Sequence, residues 1–199
     1  MLEIEIPFEI HITIDNLTSD RQADFVDFCV AKQAKPLMVE LSKGNFINQP
    51  MLSKIIYANN LGHILSIATE ISNSMKSQNF LVKRLKVEIP AVNSDLFKNH
   101  VSSFDKYFEW HCKINYTQVD KLLELCESHK VHLSLNSMKN DLNVRFITLR
   151  EFGAKSKFEQ RIKFLLNDLQ QGNWAILKQQ FEYCIYDNNK FLDNGWLSQ

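Results

Sequence analysis

Phe8-Glu9-Ile10-His11-Ile12-Thr13-Ile14 returns as Phe108-Glu109-Trp110-His111-Cys112-Lys113-Ile114, displaced by 100 positions. No other feature constrains the chain as much, because the elements after each copy also recur in one order. After the first copy the spacing predicts a helix over about residues 20–34, with Phe25, Phe28 and Cys29 at i, i+3 and i+4. Its counterpart covers about 117–129, with Val119, Leu122, Leu123 and Cys126. Two extended runs follow in each half, Leu37–Leu41 and Met51–Tyr57, then Val131–Leu135 and Val144–Glu151. A second helical stripe comes next: Leu61, Ile64, Leu65, Ala68, Ile71 and Met75, matched by Phe158, Ile162, Leu165 and Leu169. Gln78-Asn79 and Gly172-Asn173 mark where these helices stop. The closing strands are Phe80–Ile89 and Trp174–Tyr186, where Glu88 matches Glu182 and Arg84 matches Lys178, both displaced by 94.

Each half therefore reads β-α-β-β-α-β, the order of a ferredoxin-like unit. The expected class is α+β: two ferredoxin-like repeats packed with pseudo-twofold symmetry, each an antiparallel sheet with its helices on one face. The boundaries are 1–92 for the first repeat, 93–105 for a linker, and 106–199 for the second repeat with a C-terminal tail. The 199 residues, 45% of them apolar, suffice for a sizeable core in that arrangement.

Charge narrows the partners. Lys and Arg number 23 against 23 Asp and Glu, so a general nucleic-acid binder or a membrane-surface binder, which would carry a basic excess, is not expected. No apolar run approaches the ~20 residues that span a bilayer. The opening Met1-Leu2-Glu3-Ile4-Glu5-Ile6 is acidic and alternating, and reads as a strand rather than a signal peptide. Cys29, Cys112, Cys126 and Cys184 are scattered without a CxxC pair. That spacing speaks against a zinc cluster and for free thiols in a reducing cytoplasm. No metal or cofactor is expected.

Strand alternation divides the polar residues from the core. Phe8, Ile10, Ile12 and Ile14 point towards the helices, which leaves Glu9, His11 and Thr13 on the free face of the sheet. The second copy puts Glu109, His111 and Lys113 there, the closing strands add Arg84, Lys86, Glu88, Lys178, Gln180 and Glu182, and the run after Val131 adds His132 and Ser134. A duplicated free face doubles each such group about the symmetry axis. The candidate catalytic residues are His11, His111 and His132. The candidate ligand-binding residues are Glu9, Thr13, Arg84, Lys86, Glu109, Lys113, Ser134 and Lys178. The bland alternative is a solvated face on which Glu88 merely pairs with His11 across strands.

His11-Ile12-Thr13 and His132-Leu133-Ser134 each read hydrophobic-His-x-[Ser/Thr]-hydrophobic. This resembles the paired signature of the 2H phosphoesterases, the LigT-like phosphodiesterases, whose two lobes each supply one such motif to a shared cleft. The resemblance implies His11 and His132 as acid and base, with Thr13 and Ser134 on phosphate oxygens. Within the repeat, however, the copy of His11 is His111, so His11 with His111 is the competing constellation.

The expected function is an intracellular protein with a polar, His-containing cleft between repeats that binds a small anionic or phosphorylated ligand. The alternatives are a phosphoesterase using two histidines and a non-catalytic protein-interaction module. The C-terminal stretch Tyr186–Leu197 has no counterpart in the first half. It is either a tail tucked between the halves or a lid carrying Asp187, Asp193 or Trp196 over the free face.

Overall fold

The computed structural model describes residues 5–97, 106–115, 119–138 and 143–196. Met1 to Ile4 of the expected opening strand, most of the expected linker with His100, and Leu197 lie outside the described residues. In chain order the elements are β1 (Ile6–Ile14), α1 (Gln22–Ala31), β2 (Lys35–Leu41), β3 (Asn48–Ala58), α2 (Leu61–Ser77) and β4 (Val82–Pro90). Then come β5 (Tyr107–Asn115), α3 (Val119–Ser128), β6 (His132–Asn136), β7 (Val144–Glu151), α4 (Lys155–Gln171) and β8 (Ile176–Asp187).

The eight strands do not form two sheets. They close into one antiparallel barrel in the order β1-β3-β2-β6-β7-β5-β8-β4. This overturns the expected pair of ferredoxin-like sheets, each with a free face. The physical reason lies in the edges. A four-stranded sheet leaves a row of unpaired N–H and C=O groups on each outer strand. Here β2 pairs with β6, Val39 opposite Asn136 and Leu41 opposite Ser134. On the other side β4 pairs with β8, from Lys86 opposite Asp187 to Pro90 opposite Glu182. Both seams are satisfied at once, and what looked like a free face becomes the inside of the wall.

The apolar face of every strand lies outside that wall, under the four helices. Phe8, Ile10, Ile12, Trp110, Cys112 and Ile114 are all buried there with Phe25, Ile64, Met75, Phe158 and Leu165 from the helices. Trp174, read as the first residue of the closing strand, lies before β8 and is half-buried. Asn60 caps α2 by accepting from the His63 N–H at 2.8 Å. Each helix is followed by one residue in the left-handed region: Gln33, Asn79, Lys130 and Asn173, with φ of 52° to 63°. Asn tolerates that region better than other non-glycine residues, which explains the two stop signals read at Asn79 and Asn173. The start of the expected linker is ordered: Ala91–Phe97 forms a 3-10 segment, and Phe97 packs edge-on against Phe8 at 5.8 Å. Among the described residues no helix is long and apolar enough to cross a membrane.

Candidate functional site

The inward faces of β1, β4, β5, β7 and β8 carry charges, and the barrel holds them as one connected network. Glu9 and His11 project from β1, opposite Glu88 and Lys86 of β4 in the ladder. His11 Nε2 lies 3.0 Å from Glu88 Oε2 and 3.6 Å from Glu9 Oε1, while the Ser53 hydroxyl donates to Glu9 at 2.6 Å. The second half repeats the arrangement. His111 Nε2 lies 3.2 Å from Glu182 and 3.5 Å from Glu109, and its Nδ1 is 3.0 Å from the Thr148 hydroxyl. Lys86 joins the copies, with its Nζ 2.9 Å from Glu88 and 2.8 Å from Glu109. The two duplicated histidines therefore belong to one cluster.

A pocket of about 220 Å³ opens onto this cluster where β4 ends beside β8; Pro7, Glu9, Ile55, Glu88, Gln180 and Glu182 are among its walls. His111 keeps 29% of its side chain exposed and His11 keeps 11%. Lys113 and Lys178 face each other across the β5–β8 ladder, two positions beyond His111 and Gln180. Like charges directly opposite one another repel. Lys178 donates to Gln180 at 3.0 Å, and neither lysine has a carboxylate partner among the described residues.

Environment pushes equivalent groups in opposite directions. Burial raises the Glu88 carboxyl above its ordinary range, only partly offset by the Lys86 ammonium, and the nearby Glu182 and Glu109 charges raise it further. Both Glu88 oxygens lack a hydrogen bond of good geometry despite the His11 and Lys86 contacts. Its repeat mate Glu182 goes down to about 2, because the hydrogen bond and charge of His111 outweigh desolvation. For His111, Glu109 and Glu182 overcome desolvation and raise it to about 10. Arg150 and Lys86 hold Glu109 well below the carboxylate range against the same penalty.

The far end of the barrel is closed rather than open. Arg84 is paired with Asp187, and Asp193 from the 3-10 turn Lys190–Asp193 accepts from Arg84 at 3.0 Å and from Arg150 at 2.8 Å. Tyr107 donates to Asp187 at 2.6 Å, under the Arg150 guanidinium 4.1 Å from its ring. His132 sits at this end with its ring 5.4 Å from Trp196, and neither of its nitrogens has a hydrogen-bond partner among the described residues. Desolvation, with Lys43 and Arg150 nearby, lowers His132 to about 4.

The structure thus brings Glu9, His11, Lys86, Glu109 and His111 together, with Lys113 and Lys178 at the margin of the same interior face. Arg84, Thr13 and His132 belong to the closed end, and Ser134 is buried opposite Phe146. Sequence reasoning assigned no role to Ser53, Thr148, Tyr107 and Arg150. The Ser53/Thr148 pair could have been found from the register, since each lies opposite a duplicated histidine. Arg150 and Tyr107 carried no such signal, because no equivalent charge or ring stands in the first half. The four cysteines are free and buried, and burial pushes the Cys29, Cys112 and Cys126 thiols up to about 12.

No family model matches the chain, and no curated protein matches it. Among solved structures, an acetolactate synthase small subunit from Thermotoga maritima shares 10% identity at a TM-score of 0.31, over 92% of this chain and 97% of that one. A putative monooxygenase from Fusobacterium nucleatum shares 10% at 0.37, over 100% and 99%. A siroheme decarboxylase in co-complex with an iron-uroporphyrin III analogue shares 5% at 0.30, over 98% and 78%. Likenesses this slight carry no argument about what the chain does and assign it to no family.

Proposed function

We propose that the barrel binds a small anionic ligand at its open mouth and exchanges a proton with it through the His11–Glu88 pair. The observation that carries this reading is geometric: Glu88 and Glu182 line one pocket, and each lies against a duplicated histidine, His11 at 3.0 Å and His111 at 3.2 Å. Two repeat-equivalent carboxyls line one pocket, one raised and one held near 2. Pairs of titratable groups pushed apart in this way are how a site keeps an acid and a base side by side. The anionic end of the ligand is assigned to Lys113 and Lys178, which face each other across the β5–β8 ladder two positions beyond His111 and Gln180. The end that gains or loses a proton then faces Glu88 and His11. A reducing, cytoplasmic setting belongs to the same proposal, supported by the four free thiols.

Phosphoester cleavage by two histidines is the second reading, favoured by the shared network of His11 and His111. Calorimetric titration with phenyl phosphate separates the cases. Wild type is expected to bind, and His11→Ala, His111→Gln and Lys113→Ala are each expected to lose at least about tenfold in affinity. Phenol release during the titration supports the hydrolytic reading; binding without release supports the ligand-binding one. Equal affinity in wild type and all three variants, at equal folded fraction, overturns both.

A further inference from the structure

We propose that the closed end of the barrel is a second anion site, occupied in cis by Asp193, that takes a carboxylate or phosphate monoester group. Two guanidinium groups converge on one carboxylate there. Arg84 Nη1 donates to Asp193 Oδ1 at 3.0 Å, Arg84 Nη2 to Oδ2 at 3.0 Å, and Arg150 Nη2 reaches Oδ2 at 2.8 Å. Planar guanidinium forks around a single oxyanion are the usual means of recognising carboxylates and phosphates. Each arginine has its own wall carboxylate as well, Asp187 for Arg84 and Glu109 for Arg150. Asp193 is thus the additional anion, and it comes from outside the wall.

The segment that delivers it is short. Beyond β8 it is held by Gln49 Nε2 donating to the Leu192 carbonyl at 3.1 Å, by the Asn45 N–H donating to the Asn194 carbonyl at 3.0 Å, and by Trp196 packed near Leu41. What it covers is not satisfied by it. Thr13 Oγ1, both ring nitrogens of His132 and Trp196 Nε1 are all buried without a hydrogen-bond partner among the described residues. Buried polar groups are rarely left so, and the Thr13 hydroxyl, on the strand beside Arg84, points to something that binds there. A pocket of about 260 Å³ reaches the spot from outside, with Thr13, Asn45, Gln49 and Leu192 in its walls. Thr13 stands opposite Arg84 in the β1–β4 ladder. Asp15 at the rim of that pocket is already paired with Lys83 at 3.0 Å, so its charge does not bar an anion. An oxyanion entering there would meet the Thr13 hydroxyl first and the two guanidinium groups once Asp193 moves aside.

The test is calorimetry with inorganic phosphate on the full chain. Asp193→Asn is expected to bind one equivalent more than wild type, or to bind at least about tenfold more tightly, and adding Thr13→Val is expected to reverse severalfold of that gain. His111→Gln in the same background keeps the gain, so failure at the open mouth is read apart from failure here. No gain in a folded Asp193→Asn protein overturns the proposal. If that variant does not fold, wild type decides. Phosphate is then expected to change tryptophan emission in wild type and not in Trp196→Phe, and an unchanged wild-type spectrum overturns the proposal.

Discussion

Replacing Arg150 by methionine removes a cation that three elements share. Its Nη2 lies 2.7 Å from Glu109 and 2.8 Å from Asp193, its Nε donates to Glu109 at 2.8 Å, and its plane covers Tyr107. Breaking a buried pair by removing one partner costs about 3–5 kcal/mol, most of it from the charge left behind. Here neither carboxylate is left bare, since Lys86 stays 2.8 Å from Glu109 and Arg84 stays 3.0 Å from Asp193. The lower bound applies, about 3 kcal/mol. In a chain of this length each kcal/mol moves Tm by about 2–4 °C, so Arg150→Met is expected to melt about 6–12 °C below wild type. Urea unfolding at pH 7 supplies the matching free energy. The companion variant Glu109→Gln removes the charge that Arg150 neutralises. The double variant should therefore recover at least about 1 kcal/mol relative to the sum of the singles. A loss below about 1 kcal/mol for Arg150→Met, or strict additivity in the double, refutes the account of a shared buried cation.

Three further outcomes follow from the same geometry. The folded-state pKa of His111, about 10, lies above its ordinary 6.5, so its contribution is fully present below pH 6.5 and is lost as pH rises through about 10. The urea midpoints of wild type and His111→Gln should therefore differ most near pH 6 and converge above pH 10; a constant gap contradicts this. His132 has the opposite sign: lowered to about 4, it supports the fold above pH 6.5 and loses that support as pH falls through 4. His132→Leu should lose less stability than wild type between pH 6.5 and 4, and parallel profiles would count against it. Gly44 has φ of +119°, and a Cβ there would stand 3.0 Å from the Trp196 Cβ, so Gly44→Ala should cost about 1–3 kcal/mol and alter Trp196 emission. An unchanged spectrum and stability would show that the tail does not depend on this close approach.

Period-two alternation in β1 and β5 was readable because a single register assigns every side chain to one face or the other. Alternation alone places Glu9, His11, Glu109 and His111 on the face away from the helices. What alternation cannot carry is the fate of the sheet edges. Nothing in Lys35–Leu41 or His132–Asn136 announces that these strands pair with each other, and closure follows from both seams fitting at once. For the same reason His132 was grouped with His11. It faces the same interior, yet it lies at the opposite end from the open mouth, beside Trp196. The charges of Arg150 and Asp193 were invisible in another way: each stands alone, with no repeat partner to draw attention to it. Asp193 was read only as one of several residues on a tail or lid, and the arginines waiting for it could not be located from spacing.

Duplication alone would make the two halves chemically equal, and the interior shows how a few substitutions undo that. Both copies place a glutamate two residues before a histidine, a second glutamate on the neighbouring strand, and a hydroxyl opposite the ring. In the second copy Arg150 lies opposite Glu109, whereas in the first copy the residue opposite Glu9 is Ile55. On the closing strands Lys86 of the first copy corresponds to Gln180 of the second, so a single ammonium among the described residues leans on Glu88 and Glu109 together. The second copy is consequently cation-rich around Glu109 and settles as a protonated histidine between two ionised glutamates. The first copy shares that one ammonium, keeps Glu88 fully buried, and leaves the proton on its carboxyl favoured by burial. Restoring equality should therefore abolish the difference. Gln180→Lys places a second ammonium beside Glu182 and opposite His111, and its repulsion should lower His111 from about 10 towards its ordinary value. Proton NMR of the His111 ring across pH 6–11 reads this directly, and an unmoved titration would mean that the asymmetry does not arise from these few charges.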